Sequence, residues 1–275
     1  MIYAISDIHG CIYELKQKMS WVKLSGENRI VFLGDYIDYG QYSFQVLQYL
    51  YELQKQYGSD KVIVLKGNHE AMFLDWMNEY RNPYASETGE LMIFNDWLRT
   101  DMEYGANTVR TFISEQQYLF LEKIARTSSF GTINREAADM ILSGHEGLIS
   151  WMECLPAVYE TDTQIFVHAG VDEEAGEYWK WGTSDELFLW KFPSSVGRFY
   201  KTVIAGHVGT GTRELADDEE YHQVFYDGAS HYYIDGGVYK KDGKLLLLVY
   251  DETEAAYYSV QDNGRKVRIG KDRIK

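Results

Sequence analysis

Short apolar runs rich in β-branched residues alternate with helical patterns along the first part of the chain. The runs 2–5, 30–33 and 62–65 show no regular alternation of apolar and polar residues, which predicts strands buried on both faces. Between them, apolar residues recur at helical spacing, first from Ile12 and again from Phe44. The order strand, helix, strand predicts parallel pairing, with ligand-binding loops at the carboxyl ends of the strands.

The rest of the chain predicts further strands and a separate helical region. Apolar runs that predict strands recur at 165–167, 203–205, 232–234 and 245–250. Between residues 71 and 155 the apolar positions instead follow helical spacing. The chain has only three prolines, and no Gly/Ser linker marks a boundary. We therefore predict an α/β fold with a single domain over residues 1–275 and a helical insert at about 71–155.

The composition is that of an ordinary globular protein with a strong acidic excess. Of the 275 residues, 45% are hydrophobic and 25% are charged, and the formal net charge is −15. This charge argues against a nucleic-acid partner, because a nucleic-acid-binding protein needs a basic face. The same charge repels phosphate groups. Affinity for phosphate therefore has to be generated locally, and bound cations are the obvious means.

Cysteine usage and the absence of long apolar segments bear on the cellular location. The two cysteines, Cys11 and Cys154, form neither a disulfide framework nor a zinc-finger spacing, which favours a reducing compartment. The sequence shows no signal peptide and no membrane-spanning run. We therefore expect a cytoplasmic protein with no membrane partner.

Side chains that bind metals follow five of the apolar runs. They are Asp7, His9, Asp35, Asp38, Asn68, His69, His168 and His207. Taken singly, an aspartate here is a common helix cap and an asparagine a common turn residue. Taken together, imidazoles, carboxylates and an amide presented from strand ends are what a two-metal hydrolase requires. The remaining histidines are interpreted as surface or loop residues: His145, His222 and His231.

In order and residue type, the five blocks resemble the signature of the phosphoprotein phosphatase branch of the calcineurin-like metallophosphoesterases, as found in bacterial serine/threonine phosphatases. That signature reads D-x-H, G-D-x-x-D, G-N-H-E, a lone histidine after a strand, and G-H. The resemblance extends from residue 2 to about residue 250, and the segment from Trp97 to Thr108 is similar to a further family stretch. It implies an α/β sandwich of two facing sheets flanked by helices.

The resemblance also implies a cofactor of two divalent metal ions. It assigns the first ion to Asp7, His9 and Asp35. It assigns the second ion to a set that shares the bridging Asp35, namely Asp35, Asn68, His168 and His207. A mixed set of imidazole, carboxylate and amide donors favours Mn²⁺, with an Fe/Zn-type pair as the alternative.

The reaction that this resemblance implies is hydrolysis of a phosphate ester by a metal-bridging hydroxide. His69 is next to the ligand Asn68 and would protonate the leaving group. Asp38 would accept a hydrogen bond from His69 and raise its pKa. Glu70 has two interpretations, one as a residue that orients the start of the following helix and one as an ordinary acidic residue in the first helical turn.

The sequence departs from the family pattern where that pattern has a phosphate-binding arginine. Tyr39 stands in its place, and a phenol donates one hydrogen bond where a guanidinium donates two and adds a charge. Lys191 is the nearest cation in a later stretch that resembles a family segment. The expected substrate-binding residues are therefore Tyr39, Asn68 and Lys191.

Three functions remain open on this sequence. The first is a metal-dependent phosphomonoesterase, expected to be a serine/threonine protein phosphatase, whose partner is a phosphoprotein or a small phosphoester. The second is a symmetric diadenosine tetraphosphate hydrolase, in which aromatic residues such as Tyr36, Tyr39, Tyr42 and those of segment 178–181 would stack on a base. The third is a non-catalytic scaffold, which predicts lost ligands, and none of the assigned ligands is missing.

Overall fold

The computed structural model describes residues 1–81, 106–216 and 221–270. Most of the segment from Trp97 to Thr108, which resembles a family stretch, lies outside these residues. The strands are β1 (Ile2–Ile5), β2 (Arg29–Phe32), β3 (Val62–Val64), β4 (Val158–Glu160), β5 (Gln164–Val167), β6 (Thr202–Ala205), β7 (Phe225–Tyr226), β8 (His231–Tyr233), β9 (Leu248–Asp251), β10 (Ala256–Val260) and β11 (Lys266–Arg268).

The helices that the described residues form surround these strands. They are α1 (Ile12–Met19), α2 (Ser43–Tyr57), α3 (Asn68–Arg81), α4 (Ala106–Phe112), α5 (Glu115–Ile124), α6 (Phe130–Glu153), α7 (Trp179–Gly182) and α8 (Asp185–Trp190). Helices α3 to α6 occupy the region predicted to be helical. That they form an insert within one domain stays a prediction.

The strands form two mixed sheets, which confirms the predicted α/β class. The first sheet has the order β11-β10-β9-β1-β2-β3, and the second has the order β4-β5-β6-β8-β7. Each sheet contains three strands that pair in parallel, with β1 beside β2 and β2 beside β3 in the first, and β5 beside β6 and β6 beside β8 in the second. The carboxyl ends of the parallel strands in each sheet therefore lie at one edge.

The sandwich core explains why the predicted strands contain no polar alternation. Successive side chains of a strand point to opposite faces. Ile2 and Ala4 of β1 therefore pack in the cluster that joins the two sheets, together with Phe166 of the second sheet. Tyr3 and Ile5 point the other way, into the cluster formed with the helices. Both faces of β1 are buried, so apolar residues are needed at every position.

The helical region packs on the outer face of the first sheet through α3 and α6. Trp76 of α3 is fully buried, and its indole nitrogen donates a hydrogen bond of 2.9 Å to the side-chain oxygen of Asn134 in α6. Helix α6 bends at His145, where φ is −141° and ψ is 29°. Nε2 of His145 lies 2.8 Å from the carbonyl oxygen of Phe112, to which it donates. The bend thus ties α6 to the end of α4.

Candidate metal centre

The five predicted blocks meet at the carboxyl ends of strands from both sheets. Asp7 follows β1, Asp35 follows β2, and Asn68 begins α3 shortly after β3. His168 follows β5 and His207 follows β6 in the second sheet. The parallel topology explains this convergence, because each block lies at the equivalent end of its strand.

The backbone of these blocks is strained. Among the described residues, seven that are not glycine have a positive φ, and six of them belong to the predicted site: Asp7, His9, Asp35, Asp38, Tyr39 and His207. This region of φ/ψ space is sparsely populated by side-chain-bearing residues, and such conformations concentrate at functional sites. Asp7 does not cap α1, because the cap position belongs to Cys11 and makes no side-chain bond. The strain therefore favours a site over separate caps and turns.

His9, Asp35 and His69 form the first cluster of possible metal ligands. Nε2 of His9 lies 3.7 Å from Oδ2 of Asp35, and Nε2 of His69 lies 3.8 Å from the same oxygen. Nδ1 of His9 lies 2.7 Å from the carbonyl oxygen of Ile37. Since a carbonyl can only accept, Nδ1 carries the proton and Nε2 presents a lone pair to the cluster.

Asp35, His168 and His207 form the second cluster, so Asp35 belongs to both. Nδ1 of His168 donates to the carbonyl oxygen of Leu33 at 3.0 Å, which leaves a lone pair on Nε2. This Nε2 lies 3.4 Å from Oδ1 of Asp35. It also lies 2.7 Å from the side-chain oxygen of Asn68.

The donor atoms of the second cluster fit a cation. The Asn68 oxygen faces only other lone pairs, on Nε2 of His168, on the Asp35 carboxylate and, at 3.2 Å, on Nδ1 of His207. With the amide in this orientation and His168 protonated at Nδ1, the contact between the Asn68 oxygen and Nε2 of His168 is not a hydrogen bond. A cation there would satisfy all of these atoms, whereas without one the Asn68 amide would have to turn and present its NH₂ group. The mixture of imidazole, carboxylate and amide suits a divalent transition metal.

The electrostatics of the two clusters favour binding of a cation. Burial raises the pKa of Asp7, and repulsion from Asp235 and Asp35 raises it further. Burial also raises the pKa of Asp35. In contrast, burial lowers the pKa of His168, and it lowers that of His207 to about 4, so both imidazoles stay neutral and available as ligands. A divalent cation would stabilise the carboxylates in their charged form.

Asp7 lies beside the two clusters and outside both. Its carboxylate accepts the backbone N–H of His207 at 3.1 and 3.2 Å, and its side chain is almost completely buried. A Cβ atom at Gly206 would overlap this carboxylate, so the loop after β6 can approach only because residue 206 is glycine. The first cluster contains His69 where the sequence assignment has Asp7. The ligand role of Asp7 stays a prediction.

The predicted acid pair is close enough to work as one unit. Nδ1 of His69 lies 2.6 Å from Oδ2 of Asp38, which is completely buried. Although burial acts to lower it, the carboxylates of Asp35 and Asp38 raise the pKa of His69 to about 9. With Nδ1 held by Asp38, Nε2 faces the cluster. It can hold either a proton or a metal there.

Two residues that support this pair and its neighbours were not predicted to belong to the site. Thr108 of α4 donates its hydroxyl to Oδ1 of Asp38 at 2.5 Å. Glu70 is completely buried and accepts the backbone N–H groups of Asp35 at 2.9 Å and of Tyr36 at 2.8 Å. These contacts differ from both interpretations of Glu70, because they orient the loop after β2 and not the start of the helix. Glu70 fixes the loop that carries Asp35.

Asp235 is a further acidic residue that the sequence analysis missed. It lies two residues beyond the end of β8, as the predicted ligands lie just beyond their strands, and only 8% of it is exposed. Its charge contributes to the raised pKa of Asp7, after the larger effect of burial. The apolar run 232–234 followed by an aspartate is the signal that would have found it.

The structure places the predicted substrate-binding residues in different surroundings. Asn68 belongs to the second cluster. Tyr39 is half-buried and stacks on Tyr239, with ring centroids 4.1 Å apart and planes within 6°. The Lys191 ammonium donates to the carbonyl oxygen of Val171 at 2.6 Å and pairs with Glu173 at 3.3 Å. Substrate binding by these three residues stays a prediction.

The prediction that His231 lies at the surface is wrong. It lies in β8 and is 1% exposed. Its Nδ1 lies 2.8 Å from Asp227 and its Nε2 lies 3.1 Å from Glu173. Sequence position alone could not reveal this burial, because the two carboxylates that accommodate the imidazole come from other segments.

Residues 1–211 match the calcineurin-like phosphoesterase family, and this match covers most of the chain. The chain belongs to this family. The resemblance seen in the sequence is therefore confirmed. Among its described residues, no helix has both the length and the apolar character needed to cross a lipid bilayer.

Curated relatives include protein phosphatases and a nucleotide hydrolase. The serine/threonine-protein phosphatase 6 catalytic subunit of Drosophila melanogaster is 25% identical over 157 residues, which are 53% of this chain and 50% of that protein. The symmetrical bis(5'-nucleosyl)-tetraphosphatase of Wigglesworthia glossinidia brevipalpis is 36% identical over 73 residues, which are 26% of this chain and 25% of that protein. The chain thus matches half or less of the length of these relatives.

A solved structure confirms the fold. The cold-active protein-tyrosine phosphatase of a psychrophilic Shewanella species superposes with a TM-score of 0.51 at 14% identity, covering 97% of this chain and 79% of that one. At this identity the likeness concerns the fold alone. The predicted two-sheet sandwich of the calcineurin-like phosphoesterases is therefore correct.

Replacing the shared carboxylate should weaken both clusters at once. We expect Asp35→Asn to lose most bound metal from both, because an amide is a weaker ligand than a carboxylate and Asp35 belongs to each cluster. Elemental analysis after dialysis against Mn²⁺ measures this. The exposed Asp162→Asn is the matched control and should keep wild-type metal content. Full metal content in Asp35→Asn would contradict the shared-ligand geometry.

Replacing the buried Glu70 should loosen the Asp35 loop. Glu70→Gln keeps the size of the side chain but removes the charge that accepts backbone N–H groups from the loop. We expect the free energy of unfolding to fall by about 3 kcal/mol and metal affinity to fall by about tenfold. Denaturant unfolding and metal titration measure the two effects. Asp75→Asn, exposed on the same helix, should change neither, and equal effects of the two variants would refute the role of Glu70.

Proposed function

We propose that the protein is a dinuclear metal-dependent phosphomonoesterase whose first expected substrates are phosphoserine and phosphothreonine in proteins. The observation that carries this proposal is the buried Asp38–His69 pair beside the shared carboxylate of Asp35. A site that served only to bind metal would not need a proton donor such as His69 held beside Asp35. We also propose Mn²⁺ as the preferred metal and one domain over residues 1–275.

In this proposal the ions, when bound, supply charge neutralisation and an activated water. The chain's own residues do the rest. His69 holds a proton at Nε2 and donates it to the leaving oxygen of the ester. Asp38 holds the ring by its Nδ1–H and stabilises the charged form, while the Thr108 hydroxyl fixes Asp38 in turn. Asn68 presents its side-chain oxygen toward the second cluster from the first turn of α3.

Protein substrates have support from the relatives, because the phosphatase 6 subunit matches 53% of this chain. The non-catalytic alternative has less support, since every predicted ligand type is retained and the acid pair is formed. A nucleotide polyphosphate is the second candidate substrate. It is favoured by the stacked Tyr39–Tyr239 pair, whose rings lie beside His9 at 4.9 and 5.1 Å between centroids and would accommodate a base.

A substrate panel with added metal tests the proposal. Chelator-treated protein is supplied with Mn²⁺ and assayed on p-nitrophenyl phosphate, a phosphoserine peptide and diadenosine tetraphosphate. We expect turnover of the first two substrates and none without metal. Turnover of diadenosine tetraphosphate alone would favour the second candidate. Failure on all three substrates with metal bound would support the scaffold.

Replacing His69, the proposed acid, should reduce kcat more for substrates whose leaving group needs a proton than for those whose leaving group does not. We expect His69→Asn to lower kcat on the phosphoserine peptide by roughly 10²–10⁴, because an alkoxide needs a proton to leave. The loss on p-nitrophenyl phosphate should be much smaller, since nitrophenolate leaves without one. Steady-state kinetics on protein of equal metal content measure both. Equal losses on the two substrates would contradict the role of His69 as the acid.

A further inference from the structure

Among the described residues, the positions expected to bind the substrate phosphate supply no free cation. The chain carries a net charge of −15, and Tyr39 occupies the position where the family pattern has arginine. The ammonium of Lys191 is already engaged by Val171 and Glu173. A phosphate dianion in a site rich in buried carboxylates still needs local positive charge beyond that of its metals.

Lys240 brings such a charge to the aromatic pair. Its ammonium nitrogen lies over the ring of Tyr239, 5.6 Å from the centroid. Tyr239 in turn stacks on Tyr39 and meets His9 edge-on, with the His9 centroid 5.1 Å from its own. Lys240, Tyr239 and Tyr39 thus lie next to the first cluster, on the side that leads to solvent.

The loop after β6 lies close to this ammonium on another side. Gly209 lies two residues beyond His207, and a Cβ atom there would lie 4.0 Å from Nζ of Lys240. The same Cβ would lie 3.6 Å from Oδ2 of Asp235. The ammonium therefore lies between the aromatic pair and the His207 loop, at the mouth of the candidate site.

The backbone of the turn that carries Lys240 is held by hydrogen bonds, whereas the Lys240 side chain is exposed and can bind a ligand. The backbone N–H of Lys240 donates to Gly237 at 2.8 Å, and its carbonyl accepts the N–H of Gly243 at 3.1 Å. The side chain is exposed, and among the described residues its ammonium makes no ion pair. A flexible four-carbon stem lets such a point charge move from a tyrosine face to an anion.

We propose that Lys240 binds the phosphate group of the substrate and takes over the task of the missing arginine. The tyrosine pair holds the ammonium at the mouth of the site until phosphate arrives. This proposal rests on the proposed phosphoesterase function. The alternative is that Lys240 only balances the charge of Asp235. In that case replacing Lys240 would affect the carboxylates of the site and leave phosphate binding unchanged.

Charge-matched lysine variants test this role in the metal-loaded protein. Lys240→Met should raise KM for p-nitrophenyl phosphate about tenfold, weaken binding of inorganic phosphate by a similar factor, and leave kcat within about twofold. Lys240→Arg should restore both constants to within about threefold of wild type. Lys241→Met removes the same charge from the neighbouring exposed position and should behave as wild type. Kinetics, calorimetric titration with inorganic phosphate and metal analysis give the readouts.

Three results would overturn the proposal. One is a Lys240→Met protein with the same KM and phosphate affinity as Lys241→Met, measured while the wild type is active. That result would refute the role of Lys240 and leave the phosphoesterase function intact. Another is metal loss in Lys240→Met, because that would show an effect through Asp235. The third is a metal-loaded wild type that binds no phosphate. If the wild type binds phosphate through Lys240 but hydrolyses no ester, the proposed function fails and the role of Lys240 stands.

Discussion

The site depends on one electrostatic constraint, which is that imidazole nitrogens, an amide oxygen and carboxylate oxygens converge around the buried carboxylate of Asp35. Nε2 of His168 lies 2.7 Å from the side-chain oxygen of Asn68 and 3.4 Å from the Asp35 carboxylate, so in this orientation of the amide three acceptor atoms face one another. Such an arrangement is costly in a buried site unless a cation occupies it. A divalent cation shared between the two clusters would therefore stabilise the site, and the supporting contacts hold the candidate ligands in position for it.

The rest of the fold holds these site residues in place although their backbone is strained. Parallel pairing in both sheets brings five loops to one edge of the sandwich, and apolar residues on both faces of the central strands fix those loops to a rigid core. Glu70 then ties the Asp35 loop to α3, and a Cβ at Gly67 would overlap the backbone of Asp35. These contacts stabilise the left-handed backbone conformation of six site residues.

Much of the fold and the candidate ligand set could be predicted from sequence because both follow from local signals. Unalternating apolar runs indicate buried strands, and polar residues at their ends indicate a site, as for Asp35 and His168. Contacts between distant segments could not be predicted. Thr108 reaches Asp38 from 70 residues away, and the burial of His231 depends on Glu173, 58 residues earlier. The stack of Tyr39 on Tyr239 likewise exists only once both loops have folded.

The most direct measurement of the central claim is anomalous diffraction from crystals of the Mn²⁺-loaded protein. We expect two peaks roughly 3.5–4 Å apart, with a carboxylate oxygen of Asp35 between them. Asn68, His168 and His207 should surround one peak, and His9 should contact the other. A single peak, or two peaks away from Asp35, would contradict the account.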